Sequence, residues 1–335
     1  MAPKCRLLGV NEATDADVRG ISEIVDPHLA HRKDQEALCL ERSAGLQTPL
    51  TSILTIELNI TELCNRKCIF CPRIDPKVYP NRNLNMEIEL VQRLVAEVKR
   101  MGIYPRFSFS GFGEPVLNKS LVDFISHIRS ELPNHTIEIN TNGDRLNPEK
   151  VRSFFSAGLT YLYINLYDGP EQAEGFHQLM SDSGVDKARY QLRPHWVGAE
   201  GDYGLTLNNR SGTVNSPTIN LLPLKQKLDR RCHYPFYKML LDWNGDVLFC
   251  SNDWGRKIVV GNLMSLSLDE IWLSPILREI RSRLLQGDRS QSPCNTCNVN
   301  GLITGSNSVK VLLRHYLAKE EIAPTAIPSD IDLFG

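Results

Sequence analysis

Alternating apolar and polar stretches along the chain predict a repeated strand–helix pattern between about residues 54 and 167. Residues 54–60 form a short apolar run typical of a buried strand, and residues 86–102 carry apolar side chains at helical spacing. The same alternation predicts further strands at 106–110, 136–140 and 161–167 and further helices at 120–132 and 148–158. Repeated strand–helix units predict a parallel sheet, open or curled into a barrel, with functional loops at the carboxyl ends of its strands.

A different pattern begins after about residue 193. The Gly-, Asn- and Ser-rich residues 198–216 predict a loop or short hairpin. Apolar runs on either side of Asn244-Gly245 predict a hairpin with a type I′ turn, because both residues tolerate positive φ. Ser267 and Glu270 predict a capping box for one helix over 268–287.

These patterns divide the chain into four predicted segments. We expect an N-terminal extension at 1–50, a core barrel at 51–215, a cluster-binding domain at 216–310 and a C-terminal tail at 311–335. The extension mixes charged residues with Ala and Leu without a strong period, so it is assigned no chemistry.

The composition is that of an ordinary soluble protein, with 41% hydrophobic and 23% charged residues. No apolar stretch approaches eighteen residues and the start lacks a signal-peptide pattern, so we expect a cytoplasmic protein without a membrane partner. A net charge of −1 gives no reason to expect a nucleic-acid partner. In a reducing compartment, nine cysteines favour metal binding or catalysis over disulfides.

Three cysteines follow the first predicted strand at the spacing C-x3-C-x2-C. Cys64, Cys68 and Cys71 place three thiolates in one loop, where they can converge on one inorganic cluster. A zinc site is the alternative, but structural zinc takes four ligands, and no fourth cysteine or histidine stands nearby in sequence.

Four more cysteines surround the predicted hairpin and capped helix: Cys232, Cys250, Cys294 and Cys297. Four thiolates saturate either an iron–sulfur cluster or a structural zinc ion, and their chemistry alone leaves both open.

The first cysteine set resembles that of the radical S-adenosylmethionine (SAM) superfamily. The resemblance implies a [4Fe–4S] cluster with one iron free of protein ligands, to which SAM binds by its amino and carboxylate groups. It also implies that electron transfer into SAM yields a 5′-deoxyadenosyl radical. Phe70 matches the aromatic residue that lies beside the adenine in this family.

Further segments match the SAM-binding motifs of this family in the expected order. Gly111, Gly113, Glu114 and Pro115 resemble the Gly-Gly-Glu-Pro motif, with Phe112 interrupting the glycine pair. The resemblance implies that this motif receives the methionine ammonium. Polar contacts to the ribose or carboxylate of SAM are expected from three asparagines at strand ends or on a strand: Asn140, Asn142 and Asn165.

The second cysteine set resembles the SPASM/twitch extension of radical SAM enzymes, and the overall likeness spans roughly residues 54–300. It implies one auxiliary [4Fe–4S] cluster, hence two clusters and SAM as cofactors. The implied fold is α/β, a partial (β/α)6 barrel with a small α+β C-terminal cluster domain. The layout of the four cysteines resembles that of the 2-deoxy-scyllo-inosamine dehydrogenase-like, carbohydrate-modifying members, which implies a role in antibiotic biosynthesis.

Three reaction types remain open. The first is oxidation of a secondary alcohol of an aminocyclitol, aminoglycoside or sugar, with the auxiliary cluster as electron acceptor. The second is epimerisation, which needs a non-ligand thiol as hydrogen donor. Cys5 and Cys39 lie upstream of the core, and Ser251 stands where many related sequences have cysteine, so oxidation is favoured. The third is modification of a peptide or nucleic acid.

The polar loop between the barrel and the cluster domain is where a small carbohydrate-like substrate would lie. We expect Arg210 to bind a substrate hydroxyl and to assist its deprotonation, with Asn209 and Tyr167 as further catalytic candidates. The alternative for this loop is a solvent-exposed turn without a catalytic role. A flavodoxin or ferredoxin is expected as electron donor.

Overall fold

A computed structural model describes residues 30–195 and 207–333, which fold around one eight-stranded sheet. The strands are β1 (Thr55–Asn59), β2 (Arg106–Phe109), β3 (Ile137–Thr141), β4 (Tyr161–Leu166), β5 (Tyr190–Pro194), β6 (Lys238–Asp242), β7 (Asp246–Leu248) and β8 (Val259–Asn262). Their order is β5-β4-β3-β2-β1-β6-β7-β8. The first six strands are parallel, and β7 and β8 run antiparallel to their neighbours.

The helices flank this sheet and match most of the predicted ones. They are α1 (Ala30–Arg42), α2 (Ile88–Met101), α3 (Leu121–Glu131), α4 (Pro148–Ala157), α5 (Gln172–Asp182), α6 (Tyr234–Tyr237), α7 (Leu268–Trp272), α8 (Pro275–Leu285) and α9 (Ser306–Ala318). None of the helices within the described ranges is long and apolar enough to cross a membrane.

The predicted α/β class is confirmed, and the structure adds where the sixth parallel strand comes from. Strand β6 belongs to the C-terminal part of the chain and pairs with β1, in register from Thr55 opposite Lys238 to Asn59 opposite Asp242. The sheet therefore continues across the predicted boundary at 215/216. Helix α9 likewise spans the predicted boundary at 310/311. The four segment limits stay predictions.

The two faces of the sheet differ in chemistry. On β1, Ile56 and Leu58 belong to the main hydrophobic core, whereas Glu57 and Asn59 point to the opposite face, since neighbouring side chains alternate along a strand. The opposite face is also buried, and Glu138 on β3 is 1% exposed there. A buried polar face is costly unless it is paired or binds a polar ligand, so this face marks the interior that serves the site.

Helix α1 packs against the amino-terminal edge of the sheet. The Cys39 thiol donates to the Leu54 carbonyl at 3.8 Å, just before β1, and His31 stacks on Tyr161 at 3.7 Å between ring centroids. Part of the predicted extension is therefore integral to the fold. Residues 1–29, with Cys5, lie outside the described ranges.

Two local predictions are wrong. Only Gly245 of the hairpin turn has positive φ, and its amide donates to the Asp242 carbonyl. The connection is thus a three-residue loop with a left-handed glycine at its end, not a type I′ turn. The predicted helix over 268–287 is two helices, because Pro275 cannot donate an amide hydrogen and Ser274 caps α8. The capping box of Ser267 is confirmed.

Candidate active site with two cysteine sites

The first cysteine loop leaves the carboxyl end of β1 and folds into short turns. The Cys71 amide donates to the Cys68 carbonyl at 2.9 Å, and the Cys64 amide donates to Asn81 Oδ1 at 2.9 Å. Burial, with a smaller effect from the nearby Cys71 and Cys64 thiols, raises the pKa of Cys68 to about 12. The three predicted ligands therefore lie near one another, while no group of three or more Cys, His, Asp or Glu side chains within the described ranges is already arranged to hold a metal ion. A metal bound by these thiols would displace their protons, which would couple its assembly to the folded loop.

An arginine inside this loop fastens it to two strand ends. Arg66 donates to Asp144 (2.5 Å from Nη2 to Oδ1), which follows β3, and to Asp168 (2.8 Å from Nη1 to Oδ1), which follows β4. The hydrogen bonds that Arg66 donates to Asp168 and Asp144 raise its pKa. Sequence reasoning missed this contact, since the two acids lie 78 and 102 residues further along the chain.

The Gly-Phe-Gly-Glu-Pro segment follows β2 and leans on β1. The amides of Phe112 and Gly113 donate to Asn59 Oδ1 at 2.8 and 3.1 Å. A Cβ on Gly113 would lie 2.0 Å from the Thr61 carbonyl oxygen, so only glycine fits there. Gly111 has φ +106° and is equally restricted.

The insertion in this motif is accommodated by packing. Phe112 is 2% exposed and contacts the rings of Tyr79 and Trp254, at 5.9 and 4.7 Å between centroids. The departure from the family motif therefore fills a small second core, and Trp254 of the C-terminal module takes part in it.

Glu114 lies at the carboxyl end of β3 and is 3% exposed. Its carboxyl group accepts hydrogen bonds from Thr141 Oγ1 (2.6 Å), the Asn142 amide (2.8 Å) and the Val116 amide (3.1 Å). Burial raises its pKa to about 7. Pro115 begins the short helical turn that follows, and Glu114 caps that turn.

The three predicted asparagines lie on neighbouring strands. Asn165 Nδ2 donates to Asn140 Oδ1 at 2.8 Å and to the Thr141 carbonyl at 3.0 Å. Asn165 Oδ1 is buried and has no hydrogen-bond partner among the described residues. Asn142 instead donates to Asn65 Oδ1 of the cysteine loop at 2.9 Å. A buried acceptor beside a close-packed glycine loop fits a polar ligand such as SAM.

Aromatic rings close the other side of this site. Phe70 stacks on Tyr167 at 5.8 Å between centroids, and His195 lies 5.4 Å from Tyr167. The Arg66 guanidinium lies 5.0 Å from the Tyr167 ring centroid. Burial raises the pKa of Tyr167 well above its usual value, so the phenol keeps its proton.

The second cysteine set is assembled from three separate segments. Cys232 precedes α6, Cys250 follows β7, and Cys294 and Cys297 follow α8. Burial raises the pKa of Cys250 well above its usual value, and the other three thiols of the set raise it further. The four predicted ligands therefore lie near enough to interact electrostatically, although no three of them, in the part of the chain that the structure describes, are arranged as a ready metal site. The Asn252 amide donates to Cys250 Sγ at 3.4 Å, a contact that suits a metal-bound thiolate.

One loop touches both cysteine sites. In this bridging loop, residues 207–214, Val214 belongs to the same small hydrophobic cluster as Phe70, and Cys68 of the first set packs against that cluster. Asn209 donates from Nδ2 to the Thr296 carbonyl at 2.7 Å, between Cys294 and Cys297. The polar stretch predicted between barrel and cluster domain is therefore in place, while residues 196–206 lie outside the described ranges.

The catalytic candidates in this loop differ in their surroundings. Burial raises the pKa of Cys71, and the Arg210 guanidinium lies near enough to act against that rise. Asn209 is fully buried and uses its amide group inside the protein: Nδ2 also donates to the Leu222 carbonyl, and Oδ1 accepts from the Gly212 and Asn298 amides. A catalytic role for Asn209 stays a prediction, and its contacts favour loop positioning.

Comparison with known proteins agrees with this geometry. The family model of the radical SAM superfamily matches residues 58–190, and that of the SPASM iron–sulfur cluster-binding domain matches residues 232–298. These matches give the chain a radical SAM domain followed by a SPASM-type domain, and with them the cofactors of an enzyme that uses SAM and iron–sulfur clusters. The cluster assignment predicted for the second cysteine set, in place of zinc, is thereby supported.

Individual relatives make the likeness more specific. The chain is 26% identical over 245 residues to the S-adenosyl-L-methionine-dependent 2-deoxy-scyllo-inosamine dehydrogenase of Niallia circulans, covering 72% of this chain and 92% of that protein. It is 30% identical over 205 residues to the GTP 3′,8-cyclase of Pectobacterium atrosepticum, covering 58% of this chain and 57% of that one. The crystal structure of BtrN with AdoMet and 2-DOIA has the same fold, with a TM-score of 0.63, 24% identity, and coverage of 76% of this chain and 96% of that chain.

Proposed function

We propose that this protein is a radical SAM dehydrogenase that oxidises a secondary alcohol of an aminocyclitol, aminoglycoside or sugar to a ketone. The likeness to the dehydrogenase of Niallia circulans, nearly all of which the chain covers, supports this reaction type. The structural observation that carries the proposal is the bridging loop, because a substrate beside it lies next to both cysteine sites.

SAM and the first cluster, when bound, supply a radical that removes a hydrogen atom from the carbinol carbon, and the auxiliary cluster accepts an electron from the substrate. The residues hold these groups in place. Cys64, Cys68 and Cys71 bind the first cluster, and the segment from Gly111 to Pro115 receives the methionine part of SAM. Asn165 Oδ1 offers an acceptor to a polar group of SAM.

Arg210 is proposed to bind the hydroxyl oxygen that becomes the ketone. A guanidinium beside that oxygen favours the alkoxide form and so assists loss of the hydroxyl proton. Tyr167, which keeps its proton, is proposed as a hydrogen-bond donor to the substrate or the adenine edge. Asn209 is proposed to hold the loop in position.

Epimerisation has less support from the arrangement of thiols. It needs a hydrogen donor at the carboxyl ends of the strands, where Cys64 lies. Cys39 contacts the chain just before β1, and a five-residue strand spans about 17 Å. Cys39 therefore lies at the wrong end of the sheet for this role.

An external electron donor completes the proposal. A one-electron carrier of the flavodoxin or ferredoxin class is proposed to reduce the first cluster. We place the protein in the cytoplasm, because nine cysteines with two ligand sets suit a reducing compartment.

The test is product mass after anaerobic incubation with SAM, reductant and candidate aminocyclitols in deuterated water. We expect a product two mass units lighter than the substrate, and Arg210→Gln should reduce its formation by at least about tenfold. Lys227→Gln, which alters an exposed pair with Asp229, is the control and should leave turnover unchanged. A product of unchanged constitution carrying one deuterium on carbon would instead establish epimerisation.

A further inference from the structure

We propose that Arg289 is a positioning residue for the auxiliary cluster, whose buried positive charge favours the reduced state of that cluster and makes it a better electron acceptor. The inference rests on the proposed function, in which this cluster takes an electron from the substrate.

Arg289 is 2% exposed and donates to four backbone carbonyls. Two acceptors, Arg230 (2.8 Å) and Arg231 (2.9 Å), directly precede Cys232. The other two, Val299 (2.7 Å) and Asn300 (3.0 Å), follow Cys297. One guanidinium therefore ties together two of the segments that carry the cysteine ligands.

This arrangement leaves the charge of Arg289 without a neutralising partner among its described contacts. A buried arginine ordinarily pairs with a carboxylate, because an unpaired charge is costly to bury. Here carbonyl dipoles satisfy the donors and leave the net charge in place. Asp253, a buried acid near Cys294, is held by the amides of Lys257 and Ile258.

The charge lies close to a cluster ligand. The point where Gly301 would carry a Cβ is 2.7 Å from Cys232 Sγ and 2.9 Å from Arg289 Nη2, so these two atoms are less than 6 Å apart. Glycine at 301, with φ +83°, is what permits this approach.

A charge at that distance acts differently on the two oxidation states. Reduction adds one negative charge to a four-thiolate cluster, and a nearby buried cation stabilises the more negative state more strongly. In the proposed reaction the substrate radical gives one electron to the cluster and its hydroxyl gives one proton to a base, which leaves the ketone. A one-electron carrier of the flavodoxin or ferredoxin class then removes the electron from the cluster.

The experiment measures the midpoint potential of the auxiliary cluster by a redox titration followed by electron paramagnetic resonance. The full chain carries alanine at Cys64, Cys68 and Cys71, so that only this cluster remains and no turnover is needed. Arg289→Met removes the charge, and Arg289→Lys keeps it. Arg283→Met is the control, since Arg283 lies near the end of α8, a few residues before Arg289, and pairs with Asp288 near the surface.

We expect Arg289→Met to lower the equilibrium constant for reduction at least tenfold, equal to a fall of about 59 mV for one electron. Arg289→Lys should fall by less, and Arg283→Met should not shift. An unchanged potential in Arg289→Met with about four irons retained would overturn the inference.

If Arg289→Met loses the cluster, the midpoint potentials of Arg289→Gln and Arg289→Lys are compared instead. A lower potential in the glutamine variant than in the lysine variant supports the role of charge. Equal potentials, or loss of the cluster from both, reduce Arg289 to a structural tie and overturn the redox part. Because the titration uses no substrate, failure of the proposed oxidation in the product assay is a separate outcome.

Discussion

The two cysteine sites are built in opposite ways. Cys64, Cys68 and Cys71 lie in one loop after β1, which polar contacts such as those of Arg66 fasten to neighbouring strand ends. The second set comes from three segments, which meet only when the hairpin of β6 and β7 and helix α8 are in place. The first site is thus a single loop at one end of the sheet, whereas the second is part of the C-terminal core.

This difference in construction indicates a different role for each site. In our proposal, three ligands in one loop leave an iron free for SAM, and the loop lies at the strand ends where the predicted SAM contacts are found. The four proposed ligands of the second set come from a packed core and would enclose a cluster that needs only to exchange electrons. Changes to ligands should therefore affect chemistry at the first site and folding at the second.

The largest expected effect separates the two sites directly. Alanine at all four cysteines of the second set should remove about four of about eight irons and markedly lower the anaerobic unfolding temperature, because cluster binding there is coupled to folding. Alanine at Cys64, Cys68 and Cys71 should remove the same amount of iron with a much smaller loss of stability. Cys39→Ser should keep all the iron. Equal destabilisation by the two ligand sets would contradict the comparison.

A second change tests the close packing of the segment from Gly111 to Pro115, which is proposed to bind SAM. Gly113→Ala should weaken SAM binding about ten- to hundredfold, because the Cβ would collide with the Thr61 carbonyl and shift the segment. Gly175→Ala, on α5 with open space around the added Cβ, is the matched control and should stabilise the fold by roughly 0.5–1 kcal/mol. Calorimetric titration measures the SAM affinity of both variants. Unchanged affinity in Gly113→Ala would show that SAM binds elsewhere.

A third prediction concerns pH. Burial raises the pKa of Glu114 to about 7, so below pH 7 its carboxyl takes up a proton and loses its attraction for the methionine ammonium. SAM affinity should fall by up to about tenfold per pH unit as pH drops below 7. Glu114→Gln should bind SAM weakly without this dependence.

The free energy of unfolding should depend on pH in the opposite direction to SAM affinity. The SAM-free folded state holds the Glu114 proton up to about pH 7, whereas the ordinary value is 4.5, so this residue lowers the free energy of unfolding as pH rises through that window. Glu114→Gln should lack that slope. A wild-type slope of the reverse sign in chemical denaturation would show that the carboxylate is stabilised when charged.

The smallest expected effect is at the ion pairs that Arg66 of the first cysteine loop makes with Asp144 and Asp168. Asp168→Asn should lower the free energy of unfolding by no more than about 1 kcal/mol, because the side chain of Asp168 is 56% exposed. Asp144→Asn should lower it by more, because both acids accept two bonds from Arg66 but the side chain of Asp144 is only 26% exposed. The rate of iron loss to a chelator is compared between the two variants. Faster iron loss from Asp168→Asn than from Asp144→Asn would contradict our ranking of the two acids.

Features local in sequence were predictable. The spacing of Cys64, Cys68 and Cys71, the strand–helix alternation and the capping box of Ser267 each depend on residues a few positions apart, and the structure places them as expected. The position of β6 beside β1 was not predictable, because sheet order depends on contacts that hydrophobic patterns do not encode.

The residues missed by sequence reasoning all act over long chain distances. Arg66 reaches acids after β3 and β4, Asn59 joins the segment from Gly111 to Pro115 to Asp242 on β6, and Arg289 reaches backward to the chain before Cys232. Polar residues of these types are usually exposed. Burial distinguishes Asn59 and Arg289, whereas the half-buried Arg66 is distinguished by its two ion pairs. Asn209 presents the reverse case, since a turn-like sequence conceals a fully buried amide group.

The central claim is that the first cysteine set serves SAM cleavage while the second serves the substrate electron. Release of 5′-deoxyadenosine by anaerobic, reduced protein tests it most directly, measured for the wild type and for alanine variants of each set. We predict that the first-set variant releases none, and that any folded second-set variant still cleaves SAM but forms no ketone. Release by the first-set variant at the wild-type rate would contradict the account.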